Sequence, residues 1–132
     1  MDALYPVFYP KSIAVVGASK DPTKRGFRSI QKLIDDGFPG KIYPVNPLEV
    51  SILGRPAYPS LAHVPGPIDL ALICTPARTL PDLMAQCGAK GVAGAVVLAG
   101  GFAEAGEDGA ELQARMVAQA VQSGVRIVGP NT

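Results

Sequence analysis

The chain has 132 residues, 48% of them hydrophobic and 17% charged, which is the size and composition of one compact domain and excludes an intrinsically disordered segment. A formal charge of +1 provides no global basic field for a nucleic-acid backbone or an anionic membrane, so any anion site has to be local. Two cysteines without a paired framework, and no apolar stretch near the roughly 20 residues of a membrane span, are expected of a soluble protein in a reducing, cytoplasmic setting.

Along the chain, short apolar runs that stop at Gly or Pro alternate with segments of helical spacing, the pattern of βαβ units. The N-terminal segment Met1 to Pro10 has an early acid and two prolines and does not read as a signal peptide. The first strand is Ser12-Ile-Ala-Val-Val16, stopped by Gly17. A helix is expected over 26–36, with Phe27, Ile30, Leu33 and Ile34 on one face and Gly37 at its end. The second strand, Lys41-Ile-Tyr-Pro-Val45, stops at Asn46-Pro47, and Pro44 places it at an outer position or at a gap in the ladder. Five prolines between 47 and 67 predict a loop with one short turn at Ser60-Leu61-Ala62 where a helix would otherwise stand.

The third strand, Asp69-Leu-Ala-Leu-Ile-Cys74, stops at Thr75-Pro76. A helix over 79–87 follows, with Pro81 in its first turn and Gly88 at its end. The fourth strand, Ala95-Val-Val-Leu98, leads to Ala99-Gly100-Gly101. A helix over 109–123 closes on a left-handed Gly124, and the fifth strand is Val125-Arg-Ile-Val128. The expected fold is therefore α/β: a Rossmann-type doubly wound, mainly parallel five-stranded sheet with helices on both faces. The first strand is expected at its centre, and the ligand crevice beyond the carboxyl ends of the strands.

Every candidate functional residue follows a strand, and right-handed crossovers bring those ends to one edge. The first turn, Gly17-Ala-Ser-Lys-Asp-Pro-Thr-Lys-Arg-Gly26, has a glycine for a tight exit, hydroxyls at Ser19 and Thr23, and helix amides beginning near Gly26 that suit a phosphate. Lys20, Lys24, Arg25 and Arg28 crowd a helix N-terminus that disfavours cations, a conflict an anion would resolve. A dinucleotide such as NAD(P) fits less well. Eight residues separate Gly17 from Gly26, and the second strand ends in Val45-Asn46-Pro47, without an acidic partner for a ribose diol. Asn46 and Pro47 instead suit the flank of an adenosine, or serve only as a turn.

After the third strand, Thr75 and Pro76 form a small smooth wall. After the fourth, Gly100 and Gly101 allow close backbone approach and Phe102 can cover a ligand. Cys74 closes an apolar run with no histidine nearby and reads as a small buried hydrophobe rather than a nucleophile. His63 has no second metal ligand or triad partner at a recognised spacing, so neither a metal site nor a catalytic residue is assigned. Glu104, Glu107 and Asp108 suit the N-terminus of the last helix.

Six ordered motifs resemble the CoA-binding domain of nucleotide-forming acyl-CoA synthetases, the ADP-forming acetate-CoA ligase group related to the succinyl-CoA synthetase α subunit. They are Phe8-x-Pro10-x-Ser12-Ile-Ala-Val-Val-Gly-Ala-Ser19, Gly40-Lys-Ile-Tyr-Pro-Val-Asn-Pro47, Tyr58-Pro-Ser-Leu61, Asp69-Leu-Ala-Leu72, Gly100-Gly-Phe-Ala-Glu104 and Gly129-Pro-Asn131. The resemblance implies coenzyme A or acyl-CoA as ligand, with Gly17, Ser19, Lys24, Arg25 and Gly26 around its phosphates. It further implies Val45, Asn46 and Pro47 beside the adenosine, and Thr75, Pro76, Gly100, Gly101 and Phe102 along the pantetheine arm. Where the succinyl-CoA synthetase branch has a lysine near the nucleotide, this chain has about Glu49. The phosphohistidine and ATP-grasp domains of that family are missing from 1–132, so the expectation is one CoA-binding domain, the N-terminal piece of a larger protein, that binds without catalysing. A non-catalytic CoA-sensing module, alone or regulating an acetyltransferase, is the alternative from a different class.

Overall fold

A computed structural model describes residues 5–98 and 107–128. The elements in chain order are α1 (Tyr5–Phe8), β1 (Ser12–Val16), α2 (Arg25–Asp35), β2 (Lys41–Val45), β3 (Ser51–Ile52), β4 (Arg55–Pro56), β5 (Leu70–Ile73), α3 (Leu80–Lys90), β6 (Gly94–Val97), α4 (Glu107–Ser123) and β7 (Arg126–Val128), with 3-10 turns at Leu61–His63 and Ala77–Thr79. Five strands make one sheet in the order β2-β1-β5-β6-β7, and every pair in it is parallel.

The strands are apolar on both faces because both faces are covered. Along β1, Ala14 and Val16 point to one side and Ile13 and Val15 to the other. The first side packs against Leu61 and Val64, Leu80, Met84 and Cys87 of α3, and Met116 and Ala120 of α4. The second packs against Ile30 of α2 and Ile52 of β3, with Val7 and Leu33 at the margin. Ile30, Leu80 and Met84 are fully buried, and each contributes about 1.5–3 kcal/mol in apolar burial.

The middle strand is β5 rather than β1, which lies between β2 and β5. From β1 the sheet extends through β5, β6 and β7 on one side, while only β2 lies on the other. The reversal of strand order around β1 places the crevice between the ends of β1 and β5. Pro44 does occupy an outer strand. The residues of β2 that bond β1 are the odd ones, as Lys41 N donates to Lys11 O (3.1 Å) and Val45 O accepts from Gly17 N. The even ones face outward, where a missing amide breaks no ladder bond. There Tyr58 N donates to Pro44 O (2.9 Å) and Asn46 N donates to Tyr58 O (2.9 Å).

Three elements differ locally from expectation. Within the proline-rich segment, β3 and β4 form a hairpin whose two-residue turn, Leu53-Gly54, has positive φ at both positions (50° and 77°). This is the mirror-image turn that matches strand twist, built with Leu where Asn or Asp is usual. Helix α3 runs through Gly88 and ends at Gly91, whose φ is 78°, with Val92 N donating to Cys87 O (2.9 Å). Helix α4 starts at Glu107, two residues before the expected point, so Glu107 and Asp108 stand at its N-terminus as expected. Gly124 is left-handed with φ 76°.

Candidate functional site

The loop after β1 is organised by its own side chains. Asp21 N donates to Ser19 Oγ (3.0 Å), and Asp21 Oδ1 accepts from Thr23 N (2.9 Å) and Thr23 Oγ1 (2.7 Å). The two bonds from Thr23 hold the Asp21 carboxyl below its ordinary range, against a small opposing effect of desolvation and with help from Lys24. Ser19 Oγ accepts in this turn, so its hydroxyl proton is available to an incoming acceptor. The spacing Ser19-x-Asp21-x-Thr23 is a turn signature that reading for phosphate donors alone passes over.

Gly17 and Gly26 do different work. Gly17 has φ 85°, and a Cβ there would lie 2.9 Å from Thr75 Cγ2. Gly17 N and Ala18 N both donate to Val45 O (3.1 and 3.2 Å), so the chain leaves β1 pressed between the ends of β2 and β5. Gly26 is buried against Gly17: a Cβ would collide with the Gly17 carbonyl oxygen and sit 2.8 Å from its carbon. The eight-residue interval therefore loops outward and returns the start of α2 to the end of β1. It achieves the close helix-strand contact of a dinucleotide fingerprint without its spacing.

The N-terminus of α2 has no side-chain cap and no acid in its first turn. Lys24, its N-cap residue, and Arg28 make no ion pair among the described residues, while Lys20 pairs with Glu49 (3.0 Å) across the mouth between the loops after β1 and β2. The Arg25 guanidinium donates to the Leu98 carbonyl at the end of β6 and so spans the crevice. Helix amides without a side-chain cap and the cations Lys24 and Arg28 thus belong to the same helix end, a combination that attracts an anion.

The second strand end is less open than its residue types suggest. Val45 is 5% exposed and its side chain belongs to the core. Asn46 Nδ2 donates to Ala18 O (2.8 Å), while its Oδ1 accepts from Leu48 N (2.7 Å) and Glu49 N (3.1 Å), so the side chain fastens two loops together. Pro47 is exposed, followed by Leu48 (87%) and Val50 (85%), an apolar rim that the sequence reading did not single out.

At the end of β5, Thr79 Oγ1 donates to Pro76 O (2.6 Å) and lies 2.7 Å from Thr75 Oγ1. With the Thr79 proton so committed, Thr75 is the donor to Thr79, and its oxygen retains acceptor capacity. Pro76 is exposed beside it. Gly100, Gly101 and Phe102 lie outside the described residues, as do Glu104 and the Gly129-Pro-Asn131 motif.

Cys74 is half-buried, 3.9 Å from Ser29 Oγ, and burial pushes its thiol up against the weaker opposing effects of Ser29 and Arg25. Cys87 is pushed up to about 12 by burial. Both thiols are thus neutral near pH 8, and the stability that Cys87 contributes as a thiol is present below its ordinary value of 9.0 and lost as pH climbs toward 12. Iodoacetamide at pH 8, followed by mass spectrometry, is expected to label Cys87 only after denaturant is added and Cys74 slowly. Rapid labelling of Cys74 in the folded chain would identify a thiolate. His63 accepts or donates one bond with Ser60 Oγ (2.8 Å) on an exposed turn. Among the described residues no group of three His, Cys, Asp or Glu gathers, and no helix is long and apolar enough to cross a membrane.

A family model described as a CoA binding domain matches residues 11–132. The chain is 48% identical over 126 residues to acetate–CoA ligase (ADP-forming) II of Archaeoglobus fulgidus, an overlap covering 96% of this chain and 19% of that protein. It is 41% identical to the alpha subunit of acetate–CoA ligase (ADP-forming) I of Pyrococcus furiosus, covering 98% of this chain and 29% of that subunit. Among solved structures it superimposes on the apo dinucleotide-forming acetyl-coenzyme A synthetase 1 of Ca. Korarchaeum cryptofilum with a TM-score of 0.91 and 41% identity, over 97% of this chain and 28% of that one. The chain thus spans 19% to 29% of the length of these relatives.

Proposed function

The chain belongs to the CoA-binding domain family, and from that premise we propose that it binds coenzyme A or acyl-CoA across the carboxyl ends of β1, β2 and β5. The observation that carries this reading is the uncapped N-terminus of α2, with Lys24 and Arg28 unpaired among the described residues beside the Gly17 turn. Gly17, the Ser19 hydroxyl, Lys24, Arg25 and the amides at the start of α2 hold the phosphates. Gly26 acts by bringing those amides to the strand end. Pro47 lies against the adenosine, while Val45 and Asn46 shape its loop. Thr75 offers an acceptor to a pantetheine amide, Pro76 offers a smooth wall, and Gly100, Gly101 and Phe102 continue that path.

Coenzyme A brings the thiol that accepts an acyl group; the residues named here bind and orient it. In this reading 1–132 is one domain of a longer, cytoplasmic, ADP-forming acyl-CoA synthetase. Phosphohistidine and ATP-grasp domains elsewhere supply the ligation chemistry, and this domain by itself binds without turnover.

Calorimetric titration with CoA, dephospho-CoA and NAD tests the reading. CoA is expected to bind most tightly, and tighter binding of NAD would overturn it. Lys24→Ala and Arg25→Ala are each expected to weaken CoA binding by about fivefold at low salt, with the loss shrinking as salt rises. Unchanged affinity at low salt would remove those side chains from the phosphate site.

A further inference from the structure

Residues 48–50 reverse the usual order of an exposed loop. The apolar side chains of Leu48 and Val50 lie in solvent, whereas the acid between them is the half-buried residue, its side chain 31% exposed and 3.0 Å from Lys20 Nζ. Asn46 sets this direction, because Leu48 N and Glu49 N both donate to its Oδ1 while its Nδ2 donates to Ala18 O. Glu49 is thereby held on a loop fastened to the segment that carries Lys20. Lys20 itself is 61% exposed at the end of a flexible stem, so the acid is fixed and the cation can swing away.

The pairing is selective. Asp21 is the acid next to Lys20 in the chain, but its Oδ1 is taken by Thr23 N and Thr23 Oγ1. Lys24 and Arg28 have no ion pair among the described residues, and Arg25 donates to the Leu98 carbonyl. Among the described residues, Lys20 is thus the one cation of this turn that an acid compensates, and that acid comes from the loop after the next strand.

Fold stability does not account for the pair, since an exposed lysine–carboxylate contact contributes little and is exchanged at little cost. Its place suggests another use. In a doubly wound sheet the end of the second strand meets the ribose of a bound adenosine, and in CoA that ribose bears a phosphomonoester, close to a dianion at neutral pH. Such a group is a stronger partner for an ammonium than a single carboxylate is. The Glu49 carboxylate, however, would remain beside it as a like charge.

Resting on the CoA reading, we propose that Glu49 is a built-in competitor of the ribose phosphate. It holds Lys20 in the free domain and yields it when the phosphate arrives. It therefore weakens the grip on CoA relative to a ligand without that phosphate, which makes it a specificity-determining residue and eases release.

Calorimetric titration of the 132-residue chain with CoA and dephospho-CoA tests this, using Glu49→Gln, Lys20→Met and the two combined. Glu49→Gln is expected to tighten CoA binding about fivefold at low salt and to change dephospho-CoA binding by less than about twofold. Lys20→Met should weaken CoA alone, by about threefold, and in its background the gain from Glu49→Gln should shrink to about twofold, because only direct repulsion is then relieved. Melting temperatures should stay in place, since neither substitution removes a core contact. Weaker or unchanged CoA binding in Glu49→Gln, an equal gain for dephospho-CoA, an undiminished gain without Lys20, or a fall in melting temperature would each overturn the proposal. Failure of the unchanged chain to bind CoA would instead remove the CoA reading itself, and this inference with it.

Discussion

Replacing Gly26 with alanine is expected to destabilise the chain by about 2–3 kcal/mol and to weaken CoA binding with it, although alanine is the better helix former. Gly26 sits in the first turn of α2, where helix propensity alone would favour the change by about 1 kcal/mol. The added methyl group, however, would overlap the Gly17 carbonyl oxygen, lie 2.8 Å from the Gly17 carbon and 3.0 Å from Ala18 Cα. All three are backbone atoms, and Gly17 N and Ala18 N are themselves bonded to Val45 O, so no flexible side chain can move aside. Helix α2 must then lift from β1, which separates its amides from the turn they complete. Urea denaturation read by circular dichroism is the direct measurement. A midpoint equal to or above that of the unchanged chain would mean that α2 does not rest on Gly17.

The second large effect is expected at Asn46. Asn46→Ala removes three hydrogen bonds at once, and with each contributing about 0.5–1.5 kcal/mol and the site only partly buried, a loss of about 2 kcal/mol is expected. The loops after β1 and β2 would no longer be fastened to each other, so CoA affinity should fall along with the melting temperature. Asn46→Asp separates fastening from ligand contact. Aspartate can still accept from Leu48 N and Glu49 N, but it has no donor for Ala18 O, so its thermal stability should drop by about one hydrogen bond's share, less than in the alanine variant. A variant that lost CoA binding while keeping its melting temperature would place the amide on the ligand instead.

These two residues mark how far reading from residue types reaches. Strands β1 and β2 have the expected bounds because each is a short apolar run between a strong stop and a strong start, and a strand covered on both faces needs only that pattern. The convergence of Gly17, Asn46 and Thr75 at one edge follows from right-handed crossovers and was likewise legible. The partners of their polar atoms were not. Asn46 is spent on Ala18, 28 residues away, and Arg25 on Leu98, 73 residues away, and no local spacing encodes such pairings. The β3–β4 hairpin was hidden because its turn carries Leu53 at a position with positive φ, where Asn or Gly is the usual signal. The end of α3 was misplaced by three residues because Gly88 and Gly91 compete for it, and a glycine inside a well-packed helix costs less than an unfinished last turn.

The outer margin of β2 bears on how this domain behaves beside other polypeptides. An open sheet edge is a template on which a foreign strand can add, and the outward positions of β2 are Ile42 and Pro44, followed by Asn46 beyond its end. Pro44 has no amide to donate, its carbonyl is taken by Tyr58, and the Asn46 amide is taken by the same residue. An approaching strand would find the backbone of Ile42 alone, and one residue cannot seed a ladder. At the opposite margin β7 is three residues long. A sheet blunted in this way resists edge-to-edge aggregation, so folding of the domain should remain reversible at the high local concentrations that arise when several domains share one chain.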